Sequence, residues 1–252
     1  MAADRHDRDG RAYASALAPV VALLFDPGQR PGADTIVALS QTQGRFAVAH
    51  RDAGAGQVEL RCDGLGFDCH GLAPTQALRM ETALAHLTLP DDFQVTDHDL
   101  ITLAPGQALA GARQLLPVVR ILGGLVIALG ALPGLRAVAW LPARLAMPPA
   151  WFAQAVGAWL NGGPFPALAL TGLDRVDTGF ASRGLGFFTG QEFHWAGHGG
   201  ALQESDARGA VRLTDWLVAH GRIDTACEVE LAGFGTVRVA PDGPDRLQVH
   251  RL

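Results

Sequence analysis

Five groups of side chains in this sequence carry types and spacings that chemistry could use. Cys62, Cys69 and His70 are potential metal ligands, and so are Glu192, His194 and His198. Two histidines four apart would share one face of a helix, as zinc ligands often do. Gly184-Leu-Gly-Phe-Phe-Thr-Gly190 has the outline of a dinucleotide-binding glycine fingerprint. Ser182 is a potential nucleophile. Arg183, Glu192, His194 and Trp195 place a cation, an acid, a titratable ring and an aromatic in one short window, a mixture suited to binding a protein.

The elements that must position these residues decide between them. Asp63-Gly64 is a two-residue hairpin signal. It sets Cys62 opposite Leu65, Leu60 opposite Phe67 and Val58 opposite Cys69, all on one face. Glu59 then faces Asp68 on the other side, with Arg61 placed to relieve the pair diagonally. In that register Cys62 lies four residues, about 13 Å, from the position paired with Cys69. Neither a disulfide nor a shared zinc spans that distance. Cys227 falls in a strand pattern, so all three cysteines are expected as small core side chains.

Ala196-Gly-His-Gly-Gly200 is a poor helix, so the spacing of His194 and His198 loses its meaning and no metal is expected. The glycine fingerprint has to follow a strand and open a helix. Here Phe180 to Phe188 reads as one apolar strand, and Phe187-Phe188 would crowd a pyrophosphate, so no cofactor is expected. Ser182 lacks the spacing of a nucleophile elbow. The window from Arg183 to Trp195 therefore stands as the candidate binding patch, with an Arg183–Glu192 surface pair as its plain structural alternative.

These pieces are arranged around Ala112 to Trp140, an apolar helix leading into an apolar strand. Between Leu115 and Leu132 only Arg120 is charged, yet the uncharged run from Ile121 to Leu135 is shorter than the roughly 20 residues of a membrane span. A buried core helix that kinks or begins near Pro117 is expected. Upstream, Pro19–Phe25 and Phe46–His50 read as strands, and Asp34 as the cap of a short helix between them. Thr75–Leu87 has helical spacing, and Phe93–Leu103 reads as a connector or edge strand. Downstream, Pro148 opens a helix to Leu160, Phe165–Leu173 reads as a strand, and Arg208–His220 as an amphipathic helix stopped by Gly221. Three strands close the chain. Val20–Cys69 and Ala137–Phe188 share a strand, helix, strand, strand order, which leaves a pseudo-duplication open. The pattern predicts an α+β fold: a mixed, largely antiparallel sheet or sheets with helices packed on one face. Residues 1–12 read as a polar tail and 13–252 as a single domain, with a subdivision near 104 open.

With 48% hydrophobic and 18% charged residues the chain can bury a large core. All 20 basic residues are arginine and the net charge is −5; the arginines are scattered, so no basic stripe invites nucleic acid. Three cysteines and no secretory hydrophobic segment near Met1 fit a reducing cytoplasm.

Several residues of the second half resemble a bacterial family catalogued as domain of unknown function 4261. They are Ala137-Val-Ala-Trp140, Pro148 with Trp151-Phe152, Pro164-Phe-Pro-Ala-Leu168, Ser182-Arg-Gly-Leu-Gly-Phe-Phe-Thr-Gly-Gln-Glu192, and Leu213–Gly221 followed by Asp224-Thr225. The resemblance covers about residues 107–252. Thr189-Gly190 stands where the family pattern has Phe-Gly. It implies a cytoplasmic α+β fold and brings no catalytic residue. The leading expectation is a non-enzymatic domain that binds a protein partner, of adaptor or immunity type. A small-molecule hydrolase or metal-dependent enzyme using Glu192 and His194 is the alternative.

Overall fold

The computed structural model describes residues 18–81, 83–196 and 204–252. Among them the chain begins with β1 (Val21–Phe25), α1 (Ala33–Gln43), β2 (Ala47–Asp52), β3 (Gln57–Cys62) and β4 (Leu65–His70). The two-residue strands β5 (Leu78–Arg79) and β6 (Ala85–His86) follow, then β7 (Asp99–Pro105). Next come α2 (Leu116–Leu129), β8 (Leu135–Trp140), β9 (Leu145–Met147) and α3 (Pro149–Leu160). These strands form a nine-stranded sheet in the order β2-β3-β4-β7-β1-β8-β9-β6, with β5 also paired to β7.

The rest of the chain supplies α4 (Ala167–Leu170), β10 (Gly172–Val176), β11 (Gly179–Arg183), α5 (Gly186–Thr189) and β12 (Glu192–Ala196). It ends with α6 (Glu204–His220), β13 (Cys227–Leu231), β14 (Gly235–Pro241) and β15 (Arg246–Arg251). Its six strands are ordered β10-β11-β12-β15-β14-β13. Pairing between these strands is antiparallel throughout except β6–β9 and β12–β15. The protein is therefore α+β with two mixed, mostly antiparallel sheets.

At its centre, over β7, β1 and β8, the larger sheet is buried on both faces, which is why β1 and β8 read as unbroken apolar runs. Val21, Leu23, Phe25, Val138 and Trp140 join one core with residues of α1, α2 and α3. Ala22, Leu24, Ala137, Ala139 and Ala146 face the other way, under Leu84 and Val95, with Met80, Leu89 and Phe93 packed alongside. The central helix α2 begins at Leu116 with Pro117 in its first turn, where a missing donor costs nothing. Gly123 lets α3 approach: a Cβ there would lie 2.8 Å from Val156 Cγ1. Arg120 is half-buried between the two helices. Its Nη2 donates to the Leu160 carbonyl (3.0 Å), and the guanidinium stacks 4.6 Å from the Trp159 ring. Among the described residues no helix is long and apolar enough to cross a membrane.

The hairpin over residues 57–70 has the anticipated register, with Asp63 and Gly64 both at positive φ (48° and 80°). Arg61 reaches Glu59 on its own strand (3.2 Å) instead of the diagonal Asp68. Asp68 is left with its carboxyl held above the usual range, by burial first and by Glu59, against the opposing pull of His70.

Several expectations are corrected. The described residues of 75–87 form no helix. Leu78 and Arg79 pair with β7, and Ala85 and His86 with β9, because this segment has to cross the alanine floor of the sheet and lend it edges. Residues 99–105 form a central strand between β4 and β1, not a connector or edge. Phe165–Leu173 is the single turn α4 and the start of β10, not one strand. Asp34 is not a cap, since α1 starts at Gly32 with no side-chain cap; its carboxylate meets Arg51 instead. The proposed duplication has no common topology, because β1 to β4 lie in one sheet whereas Ala137–Phe188 spans both. The polar tail lies outside the described residues.

Candidate functional site

The window from Arg183 to Trp195 is built on a hairpin, a glycine turn and a return strand. β10 and β11 pair in a register that sets Asp174 opposite Ala181 and Gly172 opposite Arg183. β11 and β12 continue it, Ala181 opposite His194 and Phe180 opposite Trp195. β15 adds Gln248 beside His194, and β14 adds Ala240 beside Gln248. One cross-strand row thus runs Asp174, Ala181, His194, Gln248, Ala240 on one face. Phe193, Trp195, Val249, Leu247 and Val239 face the other way, under Ala210, Leu213 and Leu217 of α6.

That alternation divides the candidate residues. Trp195 is fully buried, its ring against Phe234 (centroids 5.3 Å apart) and against Gly209, where a Cβ would lie only 2.7 Å from the indole. It belongs to the core under α6, so the structure removes it from any surface patch; period-two alternation puts it on the opposite face from His194.

Arg183 does not pair with Glu192. Its Nε and Nη2 donate to the two carboxylate oxygens of Asp174 at 2.8 and 3.0 Å, and Nη1 donates to the carbonyls of Ala143 and Arg144 in the β8–β9 turn. The guanidinium therefore ties the smaller sheet to the larger one. Its hydrogen bonds hold the Asp174 carboxyl below the ordinary carboxylate value, against a smaller opposing effect of burial. Gly184 (φ 83°) lets the backbone come this close; a Cβ there would stand 2.6 Å from the Ala143 Cα. Beside this joint Trp140, Phe187, Phe188 and Phe165 meet edge-to-face and stacked, with centroids 5.0–6.3 Å apart.

Glu192 is also committed to the fold. Its Oε2 accepts from the Ser182 hydroxyl at 2.5 Å and its Oε1 from the Gly186 amide at 2.9 Å. Ser182 in turn accepts from the Phe193 amide at 2.8 Å and is only 7% exposed, so its oxygen is neither free nor reachable as a nucleophile. The fingerprint glycines do open a helical turn, contrary to the single strand expected over Phe180–Phe188. However, the Gly186 amide is taken by Glu192, and the amides of residues 187–190 bond to residues 184–186.

His194 is the one member of the window that faces outward near the middle of the row. Its Nε2 lies 3.1 Å from the Thr178 hydroxyl, and its Nδ1 lies 3.0–3.1 Å from the Gln248 side-chain amide. Both partners can donate or accept, so either neutral tautomer is complemented. No hydrogen bond joins it to Glu192 among the described residues, and His198 lies outside them. No three His, Cys, Asp or Glu side chains converge among the described residues. Cys62, Cys69 and Cys227 are all free thiols.

Sequence reasoning missed Asp174, Thr178 and Gln248. The first two had a signal: Asp177-Thr-Gly179 is turn chemistry between two short alternating runs, and folding it as a hairpin puts Asp174 within diagonal reach of Arg183. Gln248 had none, because the parallel β12–β15 pairing joins residues 54 apart. No protein-family model, curated protein or solved structure matches the chain.

Proposed function

We propose that the chain is a non-enzymatic protein-binding domain of the cytoplasm, of adaptor or immunity type, and that it works through the helix-free face of the six-stranded sheet. The observation that carries this reading is the row Asp174, Ala181, His194, Gln248, Ala240, flanked by exposed Arg238, His250 and Glu228. Ala181 and Ala240 are the small members of the row, and His194 is fixed from both sides before any partner arrives. Fixed side chains lose little entropy on binding, which favours recognition by a flat surface. The groups that a hydrolase would need are engaged instead in holding the sheet together.

The size of the face sets the strength. Six strands about 4.8 Å apart and about five residues long cover roughly 400 Å² in projection. A stable interface buries about 800 Å² per partner, so the expected complex is transient. Chemical cross-linking followed by affinity purification tests the proposal. A partner retained by the wild type should be lost with Ala181→Arg and with Arg238→Glu, and kept by Arg113→Glu in the α2 approach. Loss in none of the three, or equally in all, rejects the face as the binding surface.

A further inference from the structure

Where the turn leading into α2 meets α5 there is an open cleft of about 480 Å³. Arg113 and Gln114 form one wall, and residues 186–190 form the other. The first wall is held by successive turns, in which the amides of Leu109, Ala112 and Leu115 bond to the carbonyls of Gly106, Leu109 and Ala112. The second is the single turn of α5, closed by Gly190 at φ 75°. The backbone therefore fixes both walls.

The polar groups of the cleft point to its ligand. Four arginines are half-buried among the described residues: Arg30, Arg113, Arg120 and Arg183. Arg30 donates to the Gly71 and Thr75 carbonyls, Arg120 to that of Leu160, and Arg183 to Asp174, Ala143 and Arg144. Arg113 alone has no hydrogen-bond or ion partner among the described residues, and the Gln114 side chain has none either. A partly desolvated guanidinium is costly unless something accepts from it. The lining holds no acidic side chain to do so. The amides on the opposite wall are taken, that of Gly186 by Glu192 and those of residues 187–190 by the carbonyls of residues 184–186. A phosphate dianion, which free backbone amides cradle, would find only one guanidinium here. A carboxylate needs no more, because its two oxygens match one planar fork. The rest of the lining is aromatic: Phe187 and Phe188 are half-buried and stand edge-to-face, with centroids 5.0 Å apart. Such rings favour a planar body against them.

We propose that this cleft binds a small aromatic carboxylate, whose oxygens accept from Arg113 and Gln114 while its ring lies against Phe187 and Phe188. The lining shares no residue with the row from Asp174 to Ala240, so the site goes beyond the protein-binding reading. The test titrates benzoate, phenylacetate and indole-3-acetate into the intact chain, followed by saturation-transfer NMR. At least one should bind with a Kd of about 1 mM or tighter, which suits a probe of about ten non-hydrogen atoms. Benzyl alcohol lacks the charge and cyclohexanecarboxylate the planar ring, and each should bind at least about fivefold more weakly than benzoate. Arg113→Gln removes a guanidinium that the fold does not use, so its melting temperature should be unchanged. The carboxylates should nevertheless weaken at least about tenfold in it, and benzyl alcohol should not. Arg113→Glu should lose the acids yet keep a partner of the open sheet face, so the two proposals fail separately. The proposal is overturned if no probe binds below about 10 mM, or if Arg113→Gln binds the carboxylates as the wild type does. Benzyl alcohol or cyclohexanecarboxylate bound as tightly as benzoate, or phenyl phosphate bound more tightly, overturns it equally.

Discussion

Replacing Arg183 by alanine removes four hydrogen bonds, two to the Asp174 carboxylate and two to the Ala143 and Arg144 carbonyls. The carbonyl bonds lie in a partly buried joint and contribute about 1 kcal/mol each. The ion pair is half exposed on its Asp174 side (48%), so solvent screening leaves it nearer 0.5–1 kcal/mol. The expected loss is about 2–3 kcal/mol. For a chain of this size that is roughly 5–10 °C in melting temperature. Arg183→Lys keeps the charge but not the planar fork and should lose about half as much. The pH dependence has a definite sign. Asp174 is held below its ordinary value of 3.8 in the folded protein. Its contribution is complete above that value and disappears as pH falls below it, through the folded-state value. Urea unfolding of wild type and Arg183→Ala should therefore give stability differences that narrow on the acid side by only the ion-pair part, about 0.5–1 kcal/mol. A difference below about 0.5 kcal/mol at pH 7 would refute the assignment of Arg183 as the tie between the sheets, and one that stays constant into acid would refute its pairing with Asp174.

Three further outcomes follow from the packing. Gly209→Ala in α6 should gain up to about 1 kcal/mol of helix propensity but lose more to overpacking, about 1–3 kcal/mol, because its Cβ meets the fully buried Trp195 ring at 2.7 Å. A thermal melt showing net stabilisation would mean that the ring yields. Asp99, 4% exposed, accepts from the Gly28 amide at 2.8 Å and from Arg79 at 3.1 Å. Asp99→Ala should cost about 2–3 kcal/mol in urea titration, whereas Arg79→Ala, on the exposed side of the pair, should cost under about 1 kcal/mol. Burial pushes the Cys69 thiol up to about 12. In a Cys62→Ser, Cys227→Ser background it should resist Ellman's reagent at pH 8 until denaturant is added. Because its folded-state value lies above the ordinary 9.0, folding should also weaken as pH rises beyond 9.

Local signals carried the parts of the fold that depend on near neighbours. Asp63-Gly64 specified a turn, and the turn specified the register of six residue pairs. Pro117, Pro149 and Gly221 marked helix ends where the backbone chemistry of those residues demanded them. Failures came where tertiary demands outweighed a local pattern. Thr75–Leu87 has helical spacing, but Leu78 is 41% exposed, so the spacing does not describe a buried face. The segment is extended because its job is to roof a floor of alanines and pair at two places. The central place of the strand Asp99–Pro105 was illegible for a different reason. It is flanked on both sides by strands distant in sequence, β4 and β1, and nothing local announces a central position.

The candidate window illustrates how sequence proximity misleads about chemistry. Arg183 and Glu192 are nine residues apart, on neighbouring strands, and look like partners. Yet Arg183 finds Asp174 across the β10–β11 pair, and Glu192 turns to Ser182 and the Gly186 amide. The reason is geometric. The turn after Gly184 has to cross beneath Ala143, so the strand end that carries Arg183 is delivered to the carbonyls of the other sheet. The amide at the start of α5 is meanwhile left needing an acceptor. A carboxylate in that place serves the backbone, and a guanidinium in the other joins two sheets that share no strand. His194 is held differently: its ring nitrogens meet the side chains of Thr178 and Gln248 and no backbone group, so its place on the open face is fixed without its serving a chain end. A residue in this protein is therefore free to act on a partner to the extent that no loop end or sheet junction requires its hydrogen bonds.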